Sequence, residues 1–405
     1  MRMPRSGIAA LAAAAVLFPT AWATTAQAAP LNIRAGQASD DSRSTLRHDL
    51  DAITRKDGVV GAEALMVTGA GRYSARSGVA DRTTGAPVPE QGYMRIGSNT
   101  KTFVATVILQ LVGEGRSRTG KPLSLDDTVD KHLPGVVTGN GNDGKKITVR
   151  QLLQHTSGLF NYTSDEAMSV LTTEEDYRKH KRDTYTPEQL VGFAMKHAPY
   201  FQPGEPGKFA YSNTNYVLAG MIIEEVTGHD WREEVRNRIT KPLGMSHTFS
   251  ARNDATLPDP HAHAYYRFTD DGPLVDTTEL NMSWGGSAGD MVSTTGDLAR
   301  FWQALLGGKL LKPAQKAEML TTVPTHDFLP GAEYGLGIIK RPLGDGQGSY
   351  WGHGGSTPGH LNDNGFTEDG KRGIVLLRST NDSALGDGRD ARADRLVADA
   401  LRRTR

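Results

Sequence analysis

The sequence predicts an α+β fold in which an antiparallel sheet flanked by helices is combined with a mostly helical lobe. Segments with strand character lie towards the two ends of the chain, at about 62–79 and 335–379, whereas helix-forming segments dominate the middle. The simplest arrangement pairs the early and late strands in one sheet, which the first and last helices cover. A cleft between the sheet and the helical lobe is the expected place for a functional site.

The first elements have the clearest patterns. A helix is expected around Leu46–Arg55, followed by paired strands at Ala62–Thr68 and Arg72–Val79 with a glycine-containing turn between them. Thr100–Glu114 is apolar on most sides, which indicates a central buried helix. Further helices are expected at Thr148–His155, Pro187–Lys196, Thr214–Thr227, Thr295–Leu306 and Asp390–Arg403, and late strands at Gly335–Lys340, Tyr350–His353, Asp363–Phe366 and Gly373–Ser379.

The first 28 residues have the layout of a secretory signal peptide. Arg2 and Arg5 give a positive start, Ile8–Phe18 is an apolar run, and small residues precede a cleavage site after Ala28. The apolar run falls short of the roughly 20 residues that span a bilayer, so no stable membrane anchor is expected. We therefore predict a secreted, extracellular protein.

The rest of the chain is predicted to form a flexible linker at 29–43 and one folded domain at 44–405. Within that domain, the sheet lobe comprises about 44–115 and 310–405, and the helical lobe about 116–309. With 46 basic and 46 acidic residues, the chain has no basic field to attract nucleic acid. It contains no cysteine, which excludes disulfides, a thiol nucleophile and cysteine ligands for a metal.

Ser98 and Lys101 form a Ser-x-x-Lys motif at the start of the predicted buried helix. Because they are three positions apart, their side chains share one helix face. A serine hydroxyl needs a base to become a nucleophile, and a lysine in an apolar place has a lowered pKa and can be that base. The alternative is a plain helix cap with a surface lysine, but a cation at the start of a buried helix opposes the helix dipole.

Two later segments carry groups suited to the same chemistry. Tyr211 and Asn213 stand just before a predicted helix, where Tyr211 can relay a proton and Asn213 can hold a substrate amide and the side chain of Lys101. His353 begins a His-Gly-Gly-Ser segment that ends at Ser356, and paired glycines let a strand edge approach a ligand closely. Taken singly, the first segment is also explained as a capped loop and the second as a glycine turn.

In this order, Ser-x-x-Lys, Tyr-x-Asn and His-x-Gly resemble the motifs of the serine β-lactamase and penicillin-binding superfamily. The Tyr-Ser-Asn and His-Gly-Gly forms are most similar to the branch that holds streptomycete D-alanyl-D-alanine carboxypeptidases, class C β-lactamases, D-aminopeptidases and related esterases. The resemblance covers about residues 45–400 and implies the β-lactamase/transpeptidase-like fold. It includes the segments Met94–Phe103, Ile147–Leu159, Tyr211–Tyr216, Ser287–Ser293 and Tyr334–Gly337.

The resemblance implies a role for each motif residue. Ser98 is acylated, and Lys101 assists its deprotonation. Tyr211 shuttles the proton with help from Lys101 and His353. The backbone amides of Ser98 and Ser356 form the oxyanion hole. Substrate-binding residues are expected at Asn213, Phe160, Trp284, Gly354, Gly355 and Arg341.

The sequence departs from the carboxypeptidase pattern where a substrate carboxylate would be held. The resemblance implies an arginine on one strand and two hydroxyl residues on the next, but Ile339 occupies the arginine position and Gly354 that of the first hydroxyl. Ser356 can stand for the second hydroxyl. Arg341 lies two residues after Ile339, on the same face of a regular strand, and either takes over the clamp or leaves it missing.

We therefore predict an exported serine hydrolase with a Ser98 acyl-enzyme, first as a D-alanyl-D-alanine carboxypeptidase or transpeptidase on peptidoglycan stem peptides. The alternative is a D-aminopeptidase, D-peptidase, esterase or β-lactamase of the same superfamily. An inactive penicillin-binding sensor is disfavoured because Ser98, Lys101 and Tyr211 are all present.

The predicted partners are a small peptide or peptidoglycan-derived substrate and β-lactams, which act as covalent inhibitors or substrates. We expect a monomer without a cofactor. We also expect no metal, because His261 and His263 have no carboxylate in register to complete a site.

Overall fold

The computed structural model of the chain describes residues 40–115, 120, 122–166, 168, 172–269, 271–344, 346–382 and 391–403. The predicted signal peptide, 1–28, and residues 29–39 of the predicted linker lie outside them. Residues 40–43, the last four of the predicted linker, are helical. Within the described ranges, no helix is long and apolar enough to cross a membrane.

Strands and helices have the following bounds in the described residues. The strands are β1 (Gly61–Thr68), β2 (Gly71–Gly78), β3 (Met94–Arg95), β4 (Thr138–Gly139), β5 (Asn142–Asp143), β6 (Phe249–Ser250), β7 (Tyr265–Arg267), β8 (Leu274–Asp276), β9 (Met291–Ser293), β10 (Val323–Pro324), β11 (Glu333–Tyr334), β12 (Ile339–Pro342), β13 (Ser349–Gly352), β14 (Gly355–Thr357), β15 (His360–Phe366), β16 (Gly373–Arg378) and β17 (Thr380–Asp382). The α-helices are α1 (Asp40–Lys56), α2 (Thr100–Glu114), α3 (Val129–His132), α4 (Val149–Leu153), α5 (Glu174–His180), α6 (Pro187–Met195), α7 (Asn213–Thr227), α8 (Trp231–Val235), α9 (Gly286–Gly289), α10 (Thr295–Leu306), α11 (Pro313–Met319) and α12 (Ala391–Arg403).

The early and late strands form one antiparallel sheet, as predicted. Its order is β10–β11–β12–β13–β15–β16–β1–β2, and β14 pairs with β15 beside this path. β1 is almost entirely buried and pairs with β16 on one side and β2 on the other. A strand without a polar face is stable only where both of its faces are covered. The α+β fold predicted from the sequence is confirmed.

Two apolar cores cover the two faces of this sheet. α1 and α12 pack on one face, where Leu50 and Leu376 belong to one buried cluster. α2 and α10 pack on the other face, where Phe103 and Phe301 stack at 3.7 Å in a larger cluster that includes Val375. Val375 and Leu376, which are neighbours on β16, therefore pack into different cores, because successive side chains of a strand point to opposite faces of the sheet.

α2 is the central helix, and its bounds are those that the sequence predicted. Every residue from Thr100 to Leu109 is buried. The helix ends at Gly115, whose φ of 62° lies in the left-handed region that favours glycine. A short 3-10 turn at Gly97–Asn99 leads into the helix. The Ser-x-x-Lys motif therefore lies at the start of a helix that is buried inside the protein.

The middle of the chain is mostly helical but contributes strands to small sheets that the sequence did not predict. β3, β9 and β6 form one of them, and β17, β7 and β8 another. Strands of two or three residues are too short to show an alternating pattern. The strand predicted at Gly335–Lys340 begins only at Ile339, because Gly335 donates a turn hydrogen bond to the carbonyl oxygen of Ile338 at 2.8 Å.

Candidate active site

One cleft runs between the large sheet, the turn before α2 and the start of α7. Its volume is about 620 Å³. The predicted site residues that line it are Ser98, Tyr211, Asn213, Trp284, Arg341, His353, Gly354, Gly355 and Ser356. Residues from four separate parts of the sequence thus line one cleft with the hydroxyl group of Ser98.

Lys101 lies beneath Ser98 and is fully buried. Its Nζ is 2.9 Å from Ser98 Oγ, and it donates to Asn213 Oδ1 at 2.7 Å and to the carbonyl oxygen of Ala288 at 2.8 Å. Burial lowers the pKa of Lys101 well below its ordinary value of 10.5. A neutral amine has two hydrogens and one lone pair. Because the two oxygens accept both hydrogens, the lone pair is left for the hydroxyl of Ser98.

Tyr211 lines the cleft beside the same hydroxyl. Burial raises its pKa above the ordinary value of 10, and an interaction with the side chain of Ser98 lowers the pKa by a smaller amount. Its ring lies 4.9 Å from Lys101 Nζ and stacks on Phe328 with 4.7 Å between centroids. The phenol is therefore protonated at neutral pH. It is arranged to donate a proton to a leaving group, while Lys101 is arranged to take one from the nucleophile.

β14 brings the backbone of Ser356 against that of Gly97. A Cβ on Gly97 would lie 2.8 Å from the backbone nitrogen of Ser356, and a Cβ on Gly355 would lie 1.9 Å from the carbonyl oxygen of Ile96. Only glycine permits so close an approach of two backbones. The amide of Ser356 thus lies beside the turn that carries Ser98, which is the arrangement that a two-amide oxyanion hole requires.

Three buried asparagines tie this turn to β15. The side chains of Asn99 and Asn362 are hydrogen-bonded to each other, and Asn364 Nδ2 donates to Asn99 Oδ1 at 2.6 Å and to the carbonyl oxygen of His353 at 2.9 Å. Asn362 Nδ2 donates to the carbonyl oxygen of Ile96 at 3.2 Å. Sequence analysis missed this network. The sequence feature that could have indicated the network is the presence of two asparagines in one strand, because asparagine is uncommon in strands.

Both ring nitrogens of His353 are engaged away from Tyr211. Nε2 lies 2.9 Å from the hydroxyl of Tyr334, and Nδ1 lies 2.6 Å from the carbonyl oxygen of Gly354. The ring centroids of His353 and Tyr211 are 6.4 Å apart. Burial lowers the pKa of His353 to about 3, so the ring is neutral at neutral pH. Among the described residues, His353 therefore makes no hydrogen bond to Tyr211 through which it could give the predicted assistance.

Comparison with known proteins decides the family. Residues 43–399 match the family model described as β-lactamase. The chain belongs to the β-lactamase family. It is a serine hydrolase of the β-lactamase and penicillin-binding protein superfamily, as the motifs predicted.

Two solved structures of this superfamily are similar to the chain over nearly its whole length. A D-stereospecific amidohydrolase from Streptomyces sp. is 40% identical with a TM-score of 0.78, over 88% of this chain and 97% of that one. A D-amino acid amidase from Ochrobactrum anthropi SV3 is 28% identical with a TM-score of 0.75, over 90% and 99%. Protein flp of Staphylococcus aureus (strain N315) is 34% identical over 205 residues. That alignment spans 50% of this chain but only 36% of protein flp.

Within this β-lactamase-family cleft, the guanidinium group of Arg341 is already engaged. It is hydrogen-bonded to the carboxylate of Asp394 on α12, and Arg341 pairs with Tyr350 on the neighbouring strand. Ile339, at the position where the resemblance implied an arginine, is apolar and buried. The sequence left open whether Arg341 takes over a carboxylate clamp, and these contacts commit its charge to the protein.

Phe160 is placed differently from the expectation. Its ring stacks on His197 with 3.9 Å between centroids, and its carbonyl oxygen accepts from Thr214 Oγ1 at 2.6 Å. It fixes the start of α7 instead of lining the cleft. Its neighbours Asn161 and Thr163 line the cleft in its place.

His155 is a supporting residue whose contacts the sequence did not indicate. It is fully buried, and its Nδ1 accepts from the backbone nitrogen of Ser212 at 3.2 Å and from Asn215 Nδ2 at 3.0 Å. Its ring lies 4.3 Å from the ring of Tyr211. His155 therefore contacts both Tyr211 and the start of the helix that follows it.

Proposed function

We propose that this protein is an exported serine amidohydrolase that cleaves amides or short peptides of D-amino acids through an acyl-enzyme on Ser98. The observation that carries the chemistry is the 2.9 Å contact of Lys101 Nζ with Ser98 Oγ, made by a buried amine whose hydrogens have other acceptors. The similarity to the D-stereospecific amidohydrolase and the D-amino acid amidase supports the substrate class. Export is proposed from the predicted leader at 1–28.

Acylation follows from these contacts. Lys101 takes the hydroxyl proton of Ser98 while Oγ attacks the carbonyl carbon, and the two backbone amides hold the oxyanion. Tyr211 gives its proton to the departing nitrogen as the C–N bond breaks, and the ammonium group of Lys101 reprotonates Tyr211. The amine leaves, and the acyl group remains as an ester on Ser98.

Deacylation reverses these proton movements with water in place of the amine. Water attacks the ester carbonyl carbon and passes one proton to Lys101 through Tyr211. The ester bond breaks, and Ser98 Oγ recovers the proton from Lys101. The product is the carboxylic acid, and the enzyme returns to its starting state.

Carboxypeptidase activity on D-alanyl-D-alanine ends, which the sequence predicted first, has less support in this cleft. Ile339 offers no charge, Gly354 offers no hydroxyl, and Arg341 is bound by Asp394. A terminal carboxylate would thus compete with an existing ion pair. That activity stays a prediction, and the amide and D-peptide hydrolase is the alternative that we propose.

The side chains that face the cleft support a substrate with an apolar group. Trp284, Phe328, Leu329 and Leu361 all line it. An aromatic or aliphatic D-amino acid side chain gains free energy by burial against such groups, at about 25 cal/mol for each Å². We therefore choose phenylalanine derivatives as the first substrates to test.

The test is a comparison of kcat/KM for D-phenylalaninamide, L-phenylalaninamide, a peptide ending in D-Ala-D-Ala and the amide of that peptide. We expect at least a tenfold preference for the D over the L amide, and no preference for the free peptide over its amide. Ser98→Ala should abolish cleavage, and a penicillin should label wild type once, on Ser98. A strong preference for the free peptide would support carboxypeptidase activity instead. Labelling of another serine would contradict the assignment of Ser98 as the nucleophile.

Export and oligomeric state need separate measurements. The intact mass of protein recovered from the culture medium should correspond to a chain that begins at Ala29. Sedimentation should give the mass of a monomer, as predicted from the sequence.

A further inference from the structure

The leaving-group end of the cleft can be located from Tyr211. Because Tyr211 donates the proton to the departing nitrogen, the leaving group must lie on its side of Ser98. Tyr211 packs with Ile339 and Leu329 in a small apolar cluster. Beyond that cluster the same cleft is lined by Arg341, Gly354, Asp363 and Asp394, which therefore border the leaving group.

Gly354 opens this end of the cleft onto Asp363. A Cβ on Gly354 would lie 3.6 Å from Asp363 Oδ1 and 3.3 Å from the carbonyl oxygen of Asn362. Any side chain at 354 would therefore stand beside that carboxylate oxygen. With glycine there, the carboxylate of Asp363 is reached from the cleft.

Each positive charge at this end is already paired, and in each pair the carboxylate is the more exposed partner. Arg341 pairs with Asp394, with 20% and 37% of their side chains exposed. Arg378 pairs with Asp363 Oδ2 at 2.9 Å, with 1% and 19% exposed. The guanidinium groups thus lie deeper, and a group in the cleft meets the carboxylates first.

Each carboxylate also keeps one oxygen for a ligand. Among the described residues, Asp363 bonds through Oδ2 and Asp394 through Oδ1, and their other oxygens have no hydrogen-bond partner. Asn364, which is buried and borders the small cavity next to these two carboxylates, likewise keeps Oδ1 without a partner in the described part of the chain. Within the described residues, this end therefore offers acceptor oxygens, and each of its two guanidinium groups is paired with a carboxylate.

We propose that this end of the cleft is a subsite for leaving groups that carry an ammonium group, held by Asp363 and Asp394, and that it disfavours a leaving group with a carboxylate. The proposal rests on the proposed amidohydrolase function and names its leaving-group class: amines with a second, cationic nitrogen, such as diamines or the amides of basic amino acids. A charge-assisted hydrogen bond to a carboxylate gives about a tenfold to hundredfold preference.

The test uses three D-phenylalanine amides that differ only in the leaving amine. The 2-aminoethyl amide carries a cation, the propyl amide is neutral, and the 2-carboxyethyl amide carries an anion. In wild type, we expect kcat/KM for the cationic amide to exceed that of the neutral amide at least tenfold, and the anionic amide to be the poorest substrate. Equal rates for the cationic and neutral amides would overturn the subsite and leave the proposed function standing. Failure to cleave any of the three would overturn both.

Variants assign the preference to these residues. Asp394→Asn should reduce the ratio of kcat/KM for the cationic amide to that for the neutral amide at least fivefold. It should also raise the ratio of kcat/KM for the anionic amide to that for the neutral amide, because it releases Arg341. Gly354→Thr, at a position where a Cβ makes only one tight contact, should reduce the cationic preference by covering Asp363. The matched control is Asp399→Asn, on the same helix and paired with Arg402, which should leave both ratios unchanged. Unchanged ratios in both Asp394→Asn and Gly354→Thr would contradict the assignment.

Discussion

Gly97 and Ser356 lie backbone to backbone: a Cβ on Gly97 would be 2.8 Å from both the nitrogen and the carbonyl oxygen of Ser356. This contact joins the turn that carries the proposed nucleophile, Ser98, to the strand that carries the second proposed oxyanion amide. Gly97 has a φ of 48°, in the left-handed region, so two separate requirements select glycine. The close approach of the two backbones thus depends on the absence of a methyl group at position 97.

We predict that Gly97→Ala reduces kcat/KM by about 10²–10³, the usual cost of losing one oxyanion donor. The added methyl group must push β14 away from Ser98. Gly115→Ala is the matched control, because Gly115 ends the same helix with a φ of 62° but has open space around it. It should lower the melting temperature through backbone strain and keep kcat/KM. Equal losses of activity in the two variants would show that strain alone, and not the position of Ser356, matters.

The second prediction concerns the pH dependence of acylation. Lys101 acts as a base only when it is neutral, so kcat/KM should rise with pH as Lys101 loses its proton. Since burial lowers its pKa well below 10.5, the midpoint of this rise should lie well below that pH. Measurement of kcat/KM for D-phenylalaninamide between pH 5 and 10 gives the profile.

Lys101→Met tests the assignment, because methionine keeps much of the buried volume and has no basic nitrogen. We expect a loss of about 10²–10⁴ in kcat/KM and the disappearance of the rising limb. Circular dichroism and thermal unfolding establish that the variant is folded. Persistence of the same rising limb in Lys101→Met would assign the base to another group.

The third prediction is that a chelator leaves activity unchanged, because every proposed step uses side-chain and backbone groups. Within the described residues, no group of three or more histidines and acidic residues could hold a metal ion. His263 Nδ1 lies 2.7 Å from Asp276 Oδ2, and His261 Nδ1 lies 3.0 Å from the carbonyl oxygen of Pro258. Activity that is lost with a chelator and restored by zinc would contradict the mechanism and direct attention to this pair.

The residues that the sequence predicted well are those whose role depends on local pattern. Ser98 and Lys101 are three positions apart on a helix whose apolar run is visible in the sequence, and their contact follows from helix geometry. Tyr211 was identified through its motif, but its stacking on Phe328 was not, since that contact joins segments more than 100 residues apart.

The contacts that the sequence did not indicate depend on how separate elements pack. Arg341 lines the cleft, but its partner Asp394 comes from the last helix, 53 residues later. Phe160 was expected in the cleft, and its ring packs against His197 instead. The sequence pattern of a strand or loop indicates a face, but it does not indicate which distant side chain reaches that face first.

The last prediction concerns Glu63, a buried carboxyl group on strand β1 that takes no part in the proposed chemistry. Only 3% of the residue is exposed, and burial raises the pKa of Glu63 to about 7 from an ordinary value of 4.5. The folded protein therefore binds this proton more tightly than the unfolded chain does. The stability that the bound proton confers is complete below about pH 4.5 and is lost as the pH rises to about 7.

We therefore expect Glu63→Gln to increase the free energy of unfolding at pH 8 by about 3 kcal/mol and to change it little at pH 5. Glutamine keeps a side-chain oxygen for the backbone nitrogen of Gln91, which donates to Glu63 Oε1 at 3.0 Å in wild type, but it cannot ionise. Urea unfolding at the two pH values gives the measurement. Glu90→Gln, at an exposed neighbouring position, is the control and should have a much smaller effect. If Glu63→Gln destabilises the protein equally at both pH values, the carboxyl group is held by its hydrogen bonds and not strained by its charge.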